Sequence, residues 1–215
     1  MVDPETRFSK VRLEMLCDGI FCVAMTLLVL ELKAPDLPRH AQPDQIWHGL
    51  REHALSFLGF GLTFLLAGQT WILHHRLFQH LRSASRAVVL LTIPFLMFVS
   101  LLPFSTSMLT AFGPRNPVSL IFYLGNQFVL SALLATQLLV ARQSGLLATT
   151  GDDHERQGFE RLLLLQPVAF LISLAVVPLS PRYAMLAAAL SIAVLNGVAR
   201  RTAKARSVRA VGPSA

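Results

Sequence analysis

The sequence predicts an all-α membrane protein with six transmembrane helices, and three observations predict it. Its 215 residues are 53% hydrophobic and only 14% charged, where a soluble domain carries about 25% charged residues. That balance excludes an ordinary water-soluble globule, and the hydrophobicity excludes disorder. No Asp or Glu occurs between Glu52 and Asp152, as expected of a stretch in lipid, where carboxylates are costly. The net charge of +7 is spread over the segments between apolar runs. A nucleic-acid-binding module would instead be soluble and gather its basic residues on one face, so no nucleic-acid partner is expected.

Six runs approach the ~20 apolar residues that span a bilayer. They are 13–32, 54–74, 87–112, 118–141, 159–179 and 183–199. Together they make one six-helix domain over 1–200, followed by a basic cytoplasmic tail, 201–215. Pro35, Pro38 and Pro43 break the chain after the first run. Gly113-Pro114 and Pro117 separate the third from the fourth, and Ser180-Pro181 the fifth from the sixth. Pro94 and Pro103 predict kinks in the third helix. Asn126 and Gln127, inside the fourth, are expected to bond to neighbouring helices. The polar segment 143–158, with Asp152, Asp153, His154 and Glu155, reads as a solvated loop rather than a metal site. Cys17 and Cys22 point about 140° apart on one helix and read as apolar fillers, not a disulfide.

Orientation follows from Lys and Arg. With a cytoplasmic N-terminus, the inner segments hold Arg7, Lys10 and Arg12, then Arg76, Arg82 and Arg86, then Arg142, Arg156 and Arg161, then the cluster from Arg200 to Arg209. The outer segments hold only Lys33, Arg39, Arg51, Arg115 and Arg182. The positive-inside rule therefore places both termini in the cytoplasm and favours an even number of spans. The first apolar run is longer than a signal-peptide core and carries Asp18, so no cleavage is expected.

The first helix carries the chemistry. Asp18 lies inside a membrane-length run, so it must face protein or water and be paired. Arg12 is about 120° away on an ideal helix, so a partner on another helix is favoured, and His74, His75 and Arg76 end the second helix at a matching depth. Glu14 shares Asp18's face four residues earlier and reads as a solvated headgroup-level acid. Ile20, Val23, Leu27 and Leu30 form an apolar stripe at steps of three and four. From periodicity alone such a stripe packs helices or faces lipid. Bracketed by Asp18 and Glu31, it also fits a pore lining with acidic mouths and a hydrophobic neck, to which Thr26 adds a hydroxyl. His74 and His75 point about 100° apart, too far for one metal, and one of them is expected to make a structural hydrogen bond. Trp71 is an interfacial anchor or a network donor.

These residues resemble a known family. Arg12-x-x-x-Leu-Cys-Asp18-Gly is similar to the first-helix signature Arg-x-x-x-Phe-Ser-Asp of the transmembrane protein 175 potassium channels. The continuation Ile-Phe-Cys-Val-Ala-Met-Thr-Leu-Leu-Val-Leu-Glu-Leu, the second-helix Trp71-Ile-Leu-His74-His75-Arg-Leu-Phe and the third-helix Leu102-Pro103-Phe104-Ser-Thr resemble it too. The resemblance implies a homotetrameric bacterial-type channel in the inner membrane, with one six-helix unit per chain and first helices lining the pore. It implies potassium passage with modest preference over sodium, no re-entrant filter loop and no cofactor. Carried over residue by residue, Val23, Leu27 and Leu30 form the neck, and Arg12, Asp18, Trp71 and His74 or His75 form a structural polar network; Thr26, read from its own position, is a polar lining residue. Leu16-Cys17 stands where the family has Phe-Ser, and Thr92 where it has asparagine. Cysteine is a weaker hydrogen-bond donor than serine, so this network is thinner.

Three other classes remain against which to test the reading, one of them a non-conducting scaffold that only measurement separates. A proton-coupled secondary transporter would use Asp18 as carrier, but the sequence lacks repeated halves and paired broken helices. A membrane enzyme would need a nucleophile, base and orienter, or a metal cluster, and the loops hold neither.

Overall fold

The computed structural model describes residues 9–147, 153–181, 183 and 184, and every extended element among them is a helix. α1 spans Lys10–Leu27 and tightens into a 3-10 turn over Leu28–Glu31. α2 spans Pro43–Glu52, α3 Ala54–Gln79, α4 Arg86–Ser100, α5 Leu102–Phe112, α6 Pro117–Gln143 and α7 Asp153–Val176. Among the described residues, five helical segments are long and apolar enough to cross a membrane: Lys10–Glu31, Ala54–Gln79, Arg86–Phe112, Pro117–Gln143 and Arg156–Val176. They match the first five runs of the sequence. The sixth run, apart from Tyr183 and Ala184, and the basic tail lie outside the described residues.

Local chemistry sets the ends. Ser9, Ser85 and Asn116 each occupy an N-cap, and their side chains accept from the backbone N–H of Arg12, Val88 and Val118, satisfying donors that the first turn leaves unpaired. Gly113 closes α5 at φ 78°, a conformation open to glycine without steric cost.

Three segments depart from the sequence reading. The third span is not one helix over 87–112 but α4 and α5, broken at Leu101. Pro103 has no N–H and its ring would strike the carbonyl of Val99, so the helix stops and restarts with Pro103 in its first turn. Pro94 sits inside α4, which runs on past it. The proline-marked break after the first span contains a further helix, α2, with Pro43 at its start and a reciprocal cap between Gln42 and Gln45. The loop read over 143–158 is helical from Asp153 onward.

α6 packs against α7, α4 and α5, and α1 against α3, α4 and α5. α3 and α5 approach closely: a Cβ on Gly59 would stand 2.5 Å from Thr110 Cγ2. Just below, a buried hydroxyl cluster joins three helices. Thr106 donates to Thr63 Oγ1 at 2.9 Å, and Thr63 and Tyr123 hydroxyls lie 3.2 Å apart. Asn126 donates to Ser105 Oγ at 3.2 Å, the interhelical bond expected of it. Such bonds hold membrane helices where lipid supplies no hydrophobic drive between them.

Candidate functional site: the first helix and its polar clasp

α1 is buried on one stripe. Leu13, Cys17, Phe21, Ala24 and Leu28 are all buried, and their spacing of four, four, three and four keeps them on one helical face. Cys17, Phe21 and Ala24 join Leu77, Phe95, Val99 and Leu134 in the central core. Cys17 therefore packs as a small apolar side chain, and Cys22 is free and exposed.

The two flanks of that stripe differ. One turns toward α3. The Trp71 indole Nε1 donates to Asp18 Oδ1 at 2.8 Å, and Met25 reaches over Gly68. Trp71 stacks on His75 with ring centroids 5.6 Å apart and planes 15° from parallel. His75 Nε2 lies 2.9 Å from Gln79 Nε2. Asp18, Trp71, His75 and Gln79 thus form a continuous clasp between α1 and one edge of α3.

The other candidates are placed elsewhere. His74 is 2% exposed and belongs to an aromatic cluster, stacked on Phe95 (5.2 Å, 9°) and Phe78 (4.3 Å, 29°) and tilted against Phe21. Its Nε2 has no hydrogen-bond partner among the described residues. The Arg12 side chain stands exposed and makes no ion pair or hydrogen bond among the described residues. At this end Lys10 donates to the Leu81 carbonyl at 2.9 Å and lies 3.9 Å from Glu14.

The opposite flank carries the stripe read as a neck. Val23, Leu27 and Leu30 are 56%, 42% and 68% exposed in the single chain. At 100° per residue Val23 lies about 140° around the helix from Asp18, so the acid that clasps α3 does not share the stripe's face. Thr26 is exposed beside the stripe, and its hydroxyl donates to the Val23 carbonyl at 2.8 Å. Its proton being committed to the backbone, the oxygen offers lone pairs outward. Among the described residues, no group of three His, Cys, Asp or Glu side chains could hold a metal.

Sequence reasoning missed a buried acid at the start of the fifth span. Glu160 on α7 accepts from Arg156 Nε at 2.9 Å and lies 3.4 Å from Arg142 of α6, its side chain 10% exposed. The readable signal was the i, i+4 pair Arg156–Glu160 at the start of an apolar run. A buried carboxylate stripped of its cations is strongly destabilised. Replacing Arg142 and Arg156 together by leucine is therefore expected to cost about 3 kcal/mol, read as a lower unfolding temperature in detergent. Adding Glu160→Leu to that pair should restore most of the loss, because the uncompensated charge is then gone.

The architecture defines a multi-pass helical membrane protein with an anchored first helix whose free face is apolar. A family model described as "Endosomal/lysosomal potassium channel TMEM175" matches residues 12–103, which span α1, the clasp and α4. The chain is 30% identical over 183 residues to a protein of Chamaesiphon minutus named as a potassium channel, covering 81% of this chain and 87% of that one. It is 34% identical over 101 residues to a Streptomyces collinus protein also named as a potassium channel, covering 47% of this chain and 48% of that one. The chain thus spans about half the length of the Streptomyces relative. The crystal structure of a lysosomal potassium-selective channel TMEM175 homolog from Chamaesiphon minutus superposes with a TM-score of 0.73 at 24% identity, over 90% of this chain and 97% of that one. The chain belongs to the TMEM175 family.

Proposed function

We propose that this chain is one subunit of a cation channel that passes potassium in modest preference to sodium. Four copies assemble around an axis lined by α1, in a bacterial inner membrane, with six spans per chain and both termini cytoplasmic. The relatives named as potassium channels support the cation-channel class. The observation that carries the pore reading is the asymmetry of α1, packed along one stripe and clasped on one flank, with Val23, Leu27 and Leu30 left uncovered on the other. One chain supplies one such helix, so a pore requires copies related by closed symmetry.

In that arrangement the three side chains form a hydrophobic neck, which gates by dewetting. The sequence contains no Thr-Val-Gly-Tyr-Gly segment, so selectivity does not come from a backbone carbonyl cage. Potassium gives up its water more readily than sodium, and Thr26 oxygens beside a tight apolar ring replace part of that shell. Preference is then modest, because few oxygens are offered. The membrane-enzyme reading gains no support, since neither the family nor its named relatives are enzymes. Metal and cofactor play no part in the proposal.

The test is Leu27→Ala with Leu30→Ala in planar bilayers. A wider neck is expected to raise single-channel conductance several-fold and lower the potassium-to-sodium permeability ratio. Unchanged conductance and unchanged ratio would sink the pore assignment, and native mass spectrometry of the same sample reads the copy number directly.

A further inference from the structure

α2 is a complete, capped helix placed where the sequence offered only a proline-marked break. It stands at the membrane face where α1 ends, and one residue, His53, joins it to α3. Its sides are chemically distinct. Asp44, His48 and Glu52 form a polar side, with His48 Nδ1 3.4 Å from Glu52 Oε1. Gly49 is pressed against the preceding chain, where a Cβ would stand 2.7 Å from Pro35 Cβ, and this contact fixes the roll of the helix. Another side is apolar: Trp47 is 63% exposed and Ile46 45%.

That apolar side is continuous with an exposed apolar surface at the start of α3, where Phe57 is 45% and Leu58 71% exposed. A groove of about 550 Å³ runs between them, lined by Trp47, Leu50, Arg51, Ala54, Phe57 and Leu58. Arg51 pairs with no acid among the described residues, and it stands at the polar edge of an otherwise apolar surface. A tryptophan at a membrane boundary, an apolar strip leading into the hydrocarbon and a cation at the rim match the layers of a phospholipid.

We propose that α2 lies in the bilayer interface and, with the head of α3, seats a phospholipid of that leaflet. The acyl chain runs along Phe57 and Leu58, Trp47 sits at the glycerol level, and Arg51 meets the phosphate. α2 thereby fixes the depth at which α3 enters the membrane. The proposal rests on the membrane setting and not on the channel reading, so either can fail alone.

The chain contains two tryptophans, so Trp71→Phe leaves Trp47 as the sole reporter. In phosphatidylcholine vesicles its emission is expected to be blue-shifted. Lipids brominated high on the acyl chain should quench it more than lipids brominated near the chain end, and aqueous iodide only weakly. Strong iodide quenching without bromolipid quenching would put Trp47 in water and overturn the proposal. Protection from both quenchers would overturn it as well, placing Trp47 against a second copy or another segment of the chain. If Trp71→Phe does not fold, the difference in quenching between the unmodified protein and Trp47→Phe reports the same residue.

Discussion

Phe21→Ala is expected to destabilise the protein by about 3 kcal/mol and to abolish channel current. Phe21 is 1% exposed and forms the middle of the buried stripe by which α1 packs among the described residues. Its ring lies 5.9 Å from Phe95 of α4 and 6.4 Å from His74 of α3, so it ties α1 to two helices at once. Lipid tails are as apolar as this core, so the loss is not one of transfer from water. It comes from the packing contacts of a large ring and from the cavity left behind. Thermal unfolding in detergent measures it, and Phe21→Leu, which keeps most of the volume, should recover more than half. Val23→Ala on the uncovered flank of the same helix should change stability by less than about 0.5 kcal/mol. Equal losses at Phe21 and Val23 would mean that α1 is packed all round in the single chain, and the proposed pore face would go with it.

That contrast between flanks also marks how far the sequence could be read. The span of α1 was legible because a membrane helix announces itself by length and hydropathy. Which side of it faces the protein was not. Ile20, Val23, Leu27 and Leu30 and the buried stripe of Leu13, Cys17, Phe21, Ala24 and Leu28 are both apolar at helical spacing, and in lipid an inward face need not be more hydrophobic than an outward one. Asp18 and Trp71 were named as partners through family resemblance, and the structure joins them by a hydrogen bond. The two histidines could not be separated, because neighbouring residues on a helix differ only in direction. The structure sends His74 into the aromatic core and leaves His75 on Trp71. Arg12, drawn into the network by the same resemblance, makes no polar side-chain contact among the described residues. Pro103 was legible as a disturbance, but whether a proline bends a helix or divides it depends on what packs around the freed carbonyls. α2 was missed although its signals were present: Pro43 at a first turn, Gln42 and Gln45 three apart, and Ile46 and Leu50 four apart. A run of prolines just upstream hid them.

Asp18 gives the sharpest separation between a channel and a carrier. Asp18→Asn keeps an amide oxygen where the carboxylate accepts from Trp71 Nε1 at 2.8 Å, but it can neither bind nor release a proton. Asp18→Ala removes the acceptor and leaves the indole N–H without its partner. If the residue clasps α1 to α3, the asparagine variant is expected to keep at least half of the ion flux in reconstituted liposomes. The alanine variant should lose more than tenfold, because a hydrogen bond to a charged group contributes about 1.5–3 kcal/mol and an orphaned donor adds its own desolvation cost. If instead Asp18 carries protons through a coupled cycle, asparagine must be as dead as alanine, however well it holds the helix. Trp71→Phe discriminates further. It breaks the same bond from the other side without touching the carboxylate, so a clasp predicts that its flux falls with that of Asp18→Ala, while a carrier predicts that flux survives. The distinction rests on geometry: Asp18 lies about 140° around α1 from Val23, on the flank turned to Trp71, where a charge can order the helix away from the proposed pore face.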